Sequence, residues 1–114
     1  MKLTQAQILL GEHLGELGLE HAFEYQFYDR RKFRFDIALT YNRIGIEING
    51  GAWSRGRHTR GGGYIKDMEK FNIAAIQGWR IFQFTPQQVM KGEAKAFIEQ
   101  WTREPDRDPR KDED

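Results

Sequence analysis

Two short stretches of alternating apolar and polar residues, separated by a tight turn, constrain the fold of this chain most strongly. In residues 33–39 the odd positions are apolar, and in residues 44–48 the even positions are apolar. A period of two is that of a β-strand with one buried face. The intervening Tyr41-Asn42 suits a turn, because asparagine tolerates the left-handed backbone conformation. The sequence therefore predicts a β-hairpin here.

The register of that hairpin brings two acidic residues together. A turn centred at its middle, or a four-residue loop over Thr40–Arg43, pairs Ala38 with Gly45 and Asp36 with Glu47. The two acids then share the face away from the apolar positions, with Cβ atoms roughly 4.5–5.5 Å apart. Like charges there are destabilising unless a raised pKa, an arginine or a cation offsets them. The alternative is that both acids are solvated on the outer face of an antiparallel sheet.

The flanking segments predict the element order αβββαβα, with helices packed on a mixed sheet. This arrangement is an α/β fold or, more narrowly, an α+β fold. A meander followed by a helical crossover gives such a sheet. The last strand is apolar on both faces and is therefore expected in the sheet interior. Gly18 should end the first helix. The predicted helices cover residues 4–17, residues 64–77 and Pro86 to about Trp101. The other two predicted strands cover residues 23–28 and 79–84. A predicted loop covers residues 50–63.

The length and charge distribution predict one domain followed by a tail. The chain has 114 residues, which suits one domain over residues 1–102. Residues 103–114 contain six acids, four bases and two prolines, so we expect a disordered, charged tail. The net charge of +1 says little about partners, but the part before the tail carries fourteen bases against eleven acids.

Basic residues form two clusters that suit a polyanion. One lies before and at the start of the hairpin, and the other lies in the glycine-rich loop, where glycine lets the backbone approach phosphate closely. The alternative is solvated surface charge. The first cluster is Arg30, Arg31, Lys32 and Arg34, and the second is Arg55, Arg57 and Arg60.

His58 lies inside the second cluster. Its imidazole could activate water, protonate a leaving oxygen or contact phosphate, and the alternative is an incidental loop histidine. Asp67 could orient His58 or cap the second helix, and the spacing leaves both roles open.

Composition excludes several classes of protein. The chain has no cysteine, which removes disulfides, thiolate nucleophiles and cysteine-ligated metals. Three widely spaced histidines are too few for a zinc-dependent nuclease site. No apolar run approaches the ~20 residues of a membrane span, and the N-terminus lacks the core of a signal peptide. We expect a cytoplasmic protein without membrane association or an organic cofactor.

The hairpin sequence resembles the PD-(D/E)XK nuclease superfamily. The resemblance is carried by Phe-Arg-Phe-Asp-Ile-Ala at 33–38 and by Ile-Glu-Ile-Asn-Gly-Gly at 46–51. It extends over about residues 24–90 to a group of small phage and prophage endonucleases, distantly similar to very-short-patch repair endonucleases and Holliday-junction resolvases. The further residues of that group are Trp53, 56–61, Tyr64, Asp67, Lys70, Asn72 and 78–80.

The resemblance implies a restriction-endonuclease-like core and Mg²⁺- or Mn²⁺-dependent hydrolysis of DNA that leaves a 5′-phosphate. It implies a phage or bacterial protein that acts inside the host cell. Asp36 would match the first acid of the motif and Glu47 the second, and a main-chain carbonyl near Ile48 would help to hold the metal. The motif lysine is replaced by Asn49, which cannot stabilise an anionic transition state through charge.

The missing lysine can come from the next helix in this superfamily. Lys66 and Lys70 are four residues apart and share a helix face. Lys70 is our preferred replacement for the lysine that Asn49 displaces, and Lys66 is grouped with the DNA-binding arginines. The alternative is that both are exposed helix lysines.

Some members of the superfamily also use an additional glutamate. Glu12 and Glu16 share a face of the first helix, and Glu24 lies on the predicted strand that follows. Any of the three could reach the metal, and the alternative is that they are ordinary surface acids.

Two other functions compete with the endonuclease. One is a nuclease-fold module that binds DNA without cleaving it, motivated by Asn49. The other is a structural subunit that uses the sheet and terminal helix for protein contacts. Cleavage of both DNA strands would require a homodimer, for which the sequence carries no interface signature.

Overall fold

The chain forms a mixed α+β structure in which a four-stranded sheet has helices on both faces. The computed structural model describes residues 2–49 and 62–102. The elements within these ranges are α1 (Gln5–Glu16), β1 (Ala22–Gln26), β2 (Arg34–Leu39), β3 (Ile44–Ile48), α2 (Gly62–Ile76), β4 (Arg80–Phe84), α3 (Pro86–Met90) and α4 (Glu93–Thr102).

The sheet is mixed, as predicted, and its strand order is β1-β2-β3-β4. β1, β2 and β3 form an antiparallel meander, and the α2 crossover brings β4 parallel to β3. The prediction that β4 lies in the sheet interior was wrong, because β4 lies at the edge of the described sheet. It is apolar on both faces because helices cover both: Ile81 packs in the layer with α2, and Phe84 packs in the layer with the other helices.

The first helix begins and ends as predicted. The Thr4 hydroxyl accepts a hydrogen bond from the Gln7 N–H at 3.1 Å, and the Gln7 Oε1 accepts one from the Thr4 N–H at 2.9 Å. This reciprocal pair is a capping box, which satisfies two backbone donors at the helix start. After Leu17, Gly18 adopts a positive φ of 71°, the conformation in which glycine commonly ends a helix.

Two helix boundaries differ from the prediction. Gly62 and Gly63, which were predicted to lie in the loop, belong to α2. The single helix predicted from Pro86 onward is divided into α3 and α4. Gly92, between them, has a φ of +79°, which only glycine adopts at little cost. A second capping box, formed by Thr85 and Gln88, begins α3.

The core has two layers, one on each face of the sheet. The larger layer packs α1, α3 and α4 against the isoleucine face of the hairpin, as the alternation in residues 44–48 predicts. The smaller layer packs α2 against aromatic residues. The first includes Leu10, Leu14, Ile37, Ile44, Ile46, Val89 and Ile98, and the second includes Phe27, Phe35, Ala38, Ala74 and Trp79.

The predicted single apolar face of residues 33–39 was wrong, because Phe35 and Ile37 pack in opposite layers. This change of the buried face from one side of the sheet to the other occurs in both β1 and β2. The Phe23–Ile37 and Tyr25–Phe35 pairs lie on the two sides of Glu24, and the strand register is the same for both. Glu24 has a φ of +49°, and this left-handed residue turns the strand so that Tyr25 joins Phe35 in the α2 layer.

The hairpin has the predicted register, since Ala38 pairs with Gly45 in the β2–β3 ladder. The left-handed turn residue is Arg43, with a φ of +57°, and not Asn42. Tertiary contacts hold Arg43 there. Its carbonyl accepts a hydrogen bond from the Arg80 N–H at 3.0 Å, and its guanidinium lies 4.7 Å from the centre of the Trp79 ring.

None of the helices in residues 2–49 and 62–102 is both long and apolar enough to cross a membrane.

The close approach of Phe35 to Gly45 generates a stability prediction. A Cβ atom on Gly45 would lie 2.6–2.7 Å from three ring atoms of Phe35, so Gly45→Ala should lower the free energy of unfolding by about 1–3 kcal/mol through overpacking. The matched control is Gly15→Ala, because a Cβ on that helical glycine meets nothing within 4 Å. That change should raise stability by about 0.5–1 kcal/mol.

Urea unfolding of both variants measures the difference. Adding Phe35→Leu to Gly45→Ala should recover part of the loss. A Gly45→Ala protein as stable as the unmodified chain would contradict the described packing of Phe35.

Candidate metal centre

β2 and β3 part beside the two predicted acids. Their ladder runs as far as the Ile37–Ile46 pair. Beyond it, β2 remains paired with β1 at Phe35, whereas β3 remains paired with β4 at Glu47. We call this parting, which has Asp36 on one side and Glu47 on the other, the strand fork.

At the strand fork the carboxylates accept hydrogen bonds from the opposite strand. The Asp36 N–H donates to Glu47 Oε2 at 3.2 Å, and the Ile48 N–H donates to Asp36 Oδ2 at 2.7 Å. The predicted register therefore brings the two acids together. Each carboxylate binds a main-chain N–H of the other strand, so the hydrogen bonds fix the positions of both side chains between the strands.

Among the described residues, Lys70 of α2 places a cation at the strand fork. Its ammonium forms an ion pair with Glu47 Oε1, and the side-chain exposures are 15% for Lys70 and 8% for Glu47. Lys66, one turn earlier on the predicted shared face, is exposed. Helical spacing therefore identified the face, and tertiary packing places Lys70 rather than Lys66 against the acids.

Glu47 is a buried acid, and the interpretation of it as a solvated surface residue was wrong. The whole residue is 6% exposed. Burial raises the pKa of the Glu47 carboxyl; the Lys70 ammonium opposes that rise, and the charge of Asp36 adds to it. The ionised carboxylate is thus costly in this place, and a cation beside it lowers the cost.

Gln7 is a residue of this region that sequence reasoning missed as a candidate. It is 4% exposed, and its side-chain Nε2 donates to Glu24 Oε2 at 2.8 Å and to the Asp36 carbonyl at 3.1 Å. The Thr4-x-x-Gln7 pattern could have indicated the capping box. No local pattern links a helix N-terminus to a strand almost thirty residues later.

Asn49, at the position where the sequence resemblance implies a lysine, is engaged with β4. Its N–H donates to the Phe84 carbonyl at 2.8 Å, and its side-chain amide donates to Gln83 Oε1 at 2.7 Å. These contacts extend the β3–β4 pairing past Ile48. The asparagine therefore helps to hold β3 on β4, the side of the strand fork away from β2.

The three additional acids have different surroundings. Glu12 is exposed and lines an apolar pocket with His21 and Phe23. Glu16 forms an ion pair with Lys95 of α4 at 2.9 Å, which lowers the pKa of the Glu16 carboxyl. Glu24 is the acid of the three that the described contacts connect to Asp36, through Gln7.

The remaining predicted site residues divide into two groups. Arg34 is exposed at the start of β2, and Asp67 is half-buried on α2. The loop residues and the predicted disordered tail lie outside the described residues, so their roles stay predictions. The loop residues are Arg55, Arg57, His58 and Arg60, and the tail is residues 103–114.

The donor set at the strand fork is small. Within the described ranges, no three side chains of histidine, cysteine, aspartate and glutamate are grouped closely enough to enclose a metal ion. Two carboxylates can hold Mg²⁺ when water and substrate phosphate complete its coordination. Asp36 and Glu47 are therefore the described acids that would contribute oxygen ligands to such a site.

Comparison with known proteins adds no family. No family model matches the chain, and no curated protein or solved structure matches it. A functional proposal therefore rests on the strand fork and on the residues around it.

The Lys70–Glu47 ion pair generates a prediction about stability and pH. Lys70→Met leaves a buried carboxylate without its cation and should lower the free energy of unfolding by about 3 kcal/mol at neutral pH. The penalty comes from the ionised form of Glu47, whose pKa burial raises. The loss should therefore be largest above that pKa and should shrink as the pH falls through it.

Urea unfolding at neutral and mildly acidic pH tests this expectation. Lys66→Met is the matched control, because it removes an exposed lysine from the same helix; we expect a change within about 0.5 kcal/mol. Equal losses in the two variants, or a loss in Lys70→Met that does not depend on pH, would contradict the role assigned to the ion pair.

Proposed function

We propose that this protein is a Mg²⁺- or Mn²⁺-dependent DNA endonuclease of the PD-(D/E)XK type. The observation that carries the proposal is the strand fork, where Asp36, Glu47 and Lys70 meet at the parting of β2 and β3. The element order αβββαβ with following helices supports it, because that is the core which the sequence resemblance implies.

The donor chemistry at the strand fork fits a hard divalent cation. Carboxylate oxygens are the ligands that Mg²⁺ and Mn²⁺ prefer, and a positive group, the Lys70 ammonium, already lies against Glu47. Asp36 and Glu47 would hold the metal, together with a main-chain carbonyl near Ile48. When bound, the metal would supply Lewis-acid stabilisation of the phosphate and a water of lowered pKa.

Lys70 supports catalysis by taking the role of the lysine that Asn49 replaces. Its ammonium has three donors, so it can hold a water or a phosphate oxygen beside the carboxylates. A fixed cation there stabilises the negative charge that develops when a phosphodiester is attacked. The Lys70 side chain is 15% exposed, and this burial limits its movement, which favours orientation of the reacting groups.

Exposed basic residues support DNA as the substrate. Arg30, Lys32 and Arg34 are exposed before and at the start of β2, and Lys66 is exposed on α2. Arg31 of the same cluster is held by Glu69 at 2.9 Å. Phosphate contacts by such residues make binding fall steeply with salt concentration.

Two other functions compete with that of an endonuclease. A DNA-binding module without activity is favoured by Asn49, and it predicts salt-dependent binding without nicks. A structural subunit predicts weak DNA affinity with little salt dependence. Cutting both strands would further require a homodimer, whereas nicking requires one copy.

Removal of either carboxylate should abolish cleavage. Asp36→Asn and Glu47→Gln keep the size of each side chain but remove a charge that the metal needs. Each should lower the rate of plasmid nicking with Mn²⁺ by at least about 100-fold, beyond the usual effect of groups that only support metal ligands.

Conversion of supercoiled plasmid to nicked circles measures this rate, and Glu20→Gln, at an exposed acid that follows α1, is the matched control. Nicking at the unmodified rate in both Asp36→Asn and Glu47→Gln would contradict the proposed endonuclease function. Salt-dependent binding with no nicks in the unmodified protein would establish the inactive module instead.

A further inference from the structure

The side chain of Gln7 joins three parts of the molecule through one amide. Its Oε1 accepts from the Thr4 N–H at the start of α1, while its Nε2 donates to Glu24 on β1 and to the Asp36 carbonyl on β2. The capping bond fixes which end of the amide carries the oxygen. Nε2 must therefore face the strands, and both of its donated hydrogen bonds are used there.

Glu24 occupies a backbone conformation that is uncommon for a residue with a side chain. Its φ of +49° lies in the left-handed region, which is strained for residues other than glycine. The strain falls beside Asp36, which lies opposite Glu24 in the register that the flanking Phe23–Ile37 and Tyr25–Phe35 pairs define. The hydrogen bond from Gln7 at 2.8 Å holds the Glu24 carboxylate in this place.

We propose that Gln7 and Glu24 are positioning residues that fix the main chain of Asp36, and through it the geometry of the strand fork. The inference rests on the proposed function for its effect on metal binding, but its structural part is independent of it. Asp36 then has its carbonyl held from α1 and its N–H held by Glu47. With both main-chain groups engaged, its carboxylate is presented to Ile48 in one orientation.

This role requires hydrogen bonds and not the charge of Glu24. A glutamine in place of Glu24 keeps an acceptor oxygen for Gln7 and removes the negative charge. A metal ligand, in contrast, needs the carboxylate. The neutral variant therefore separates positioning from ligation.

The first experiment replaces Gln7 with glutamate. Gln7→Glu keeps the capping box, in which glutamate is equally suitable, and removes both amide donors from the strands. We expect Mn²⁺ affinity, measured by calorimetry, to fall by about 10- to 100-fold, as for other groups that orient metal ligands. Gln88→Glu is the matched control, because the same change falls in the second capping box, and its Mn²⁺ affinity should be unchanged.

The second experiment compares two variants of Glu24. Glu24→Gln should keep the Mn²⁺ affinity and the nicking rate of the unmodified protein, whereas Glu24→Ala should lose both to the extent seen in Gln7→Glu. Equal losses in Glu24→Gln and Glu24→Ala would overturn the inference and would indicate a charged ligand.

A metal-free measurement separates this inference from the proposed function. Hydrogen exchange of the Asp36 and Ile48 amides reports the two hydrogen bonds at the strand fork. Both amides should lose protection in Gln7→Glu and keep it in Gln88→Glu, even if the unmodified protein neither binds Mn²⁺ nor nicks DNA. Unchanged protection in Gln7→Glu would overturn the inference, whatever the outcome for cleavage.

Discussion

The buried charge of Glu47 is the constraint on which the candidate site depends. A carboxylate removed from water is stable only when cations and hydrogen-bond donors replace its hydration. Here the Lys70 ammonium and the Asp36 N–H do so, yet burial still raises the pKa of the Glu47 carboxyl. The second acid, Asp36, increases the need for positive charge. Under the proposed function, a divalent cation would supply further positive charge beside the two acids.

The fold supplies the space for this arrangement by dividing its sheet. β2 follows β1 and β3 follows β4 beyond the Ile37–Ile46 pair, so the carboxylates enter the gap between the two strand pairs. Next to Glu47 on the α2 side of the sheet, two small residues, Ala38 and Gly45, form a cross-strand pair. The ring of Phe35 fills the space that a side chain at Gly45 would occupy. The α2 helix covers this face and carries Lys70 to the strand fork. The packing of this face and the position of the Lys70 charge therefore both depend on the α2 crossover.

The hairpin and its register could be predicted from sequence because period-two alternation and a short turn are local properties. Helical spacing and the sequence resemblance favoured Lys70 as the cation on that face of α2, but its ion pair with the buried Glu47 depends on the tertiary packing of α2 against the sheet. The reversal of faces between Phe35 and Ile37 could not be predicted, because the left-handed residue that accompanies it is Glu24 and not a glycine. Gln7 was missed for a related reason: its capping role is local, whereas its bonds to the strands join residues far apart in sequence.

Asp36 and Glu47 are proposed to share a divalent cation, and a crystal structure of the protein with Mn²⁺ would reveal whether they do. Anomalous scattering locates manganese without reference to activity. We expect a peak between the two carboxylates, with the Lys70 ammonium displaced from Glu47 by the incoming charge. Crystals that contain Mn²⁺ but show no peak there, with Lys70 still bound to Glu47, would contradict this proposal.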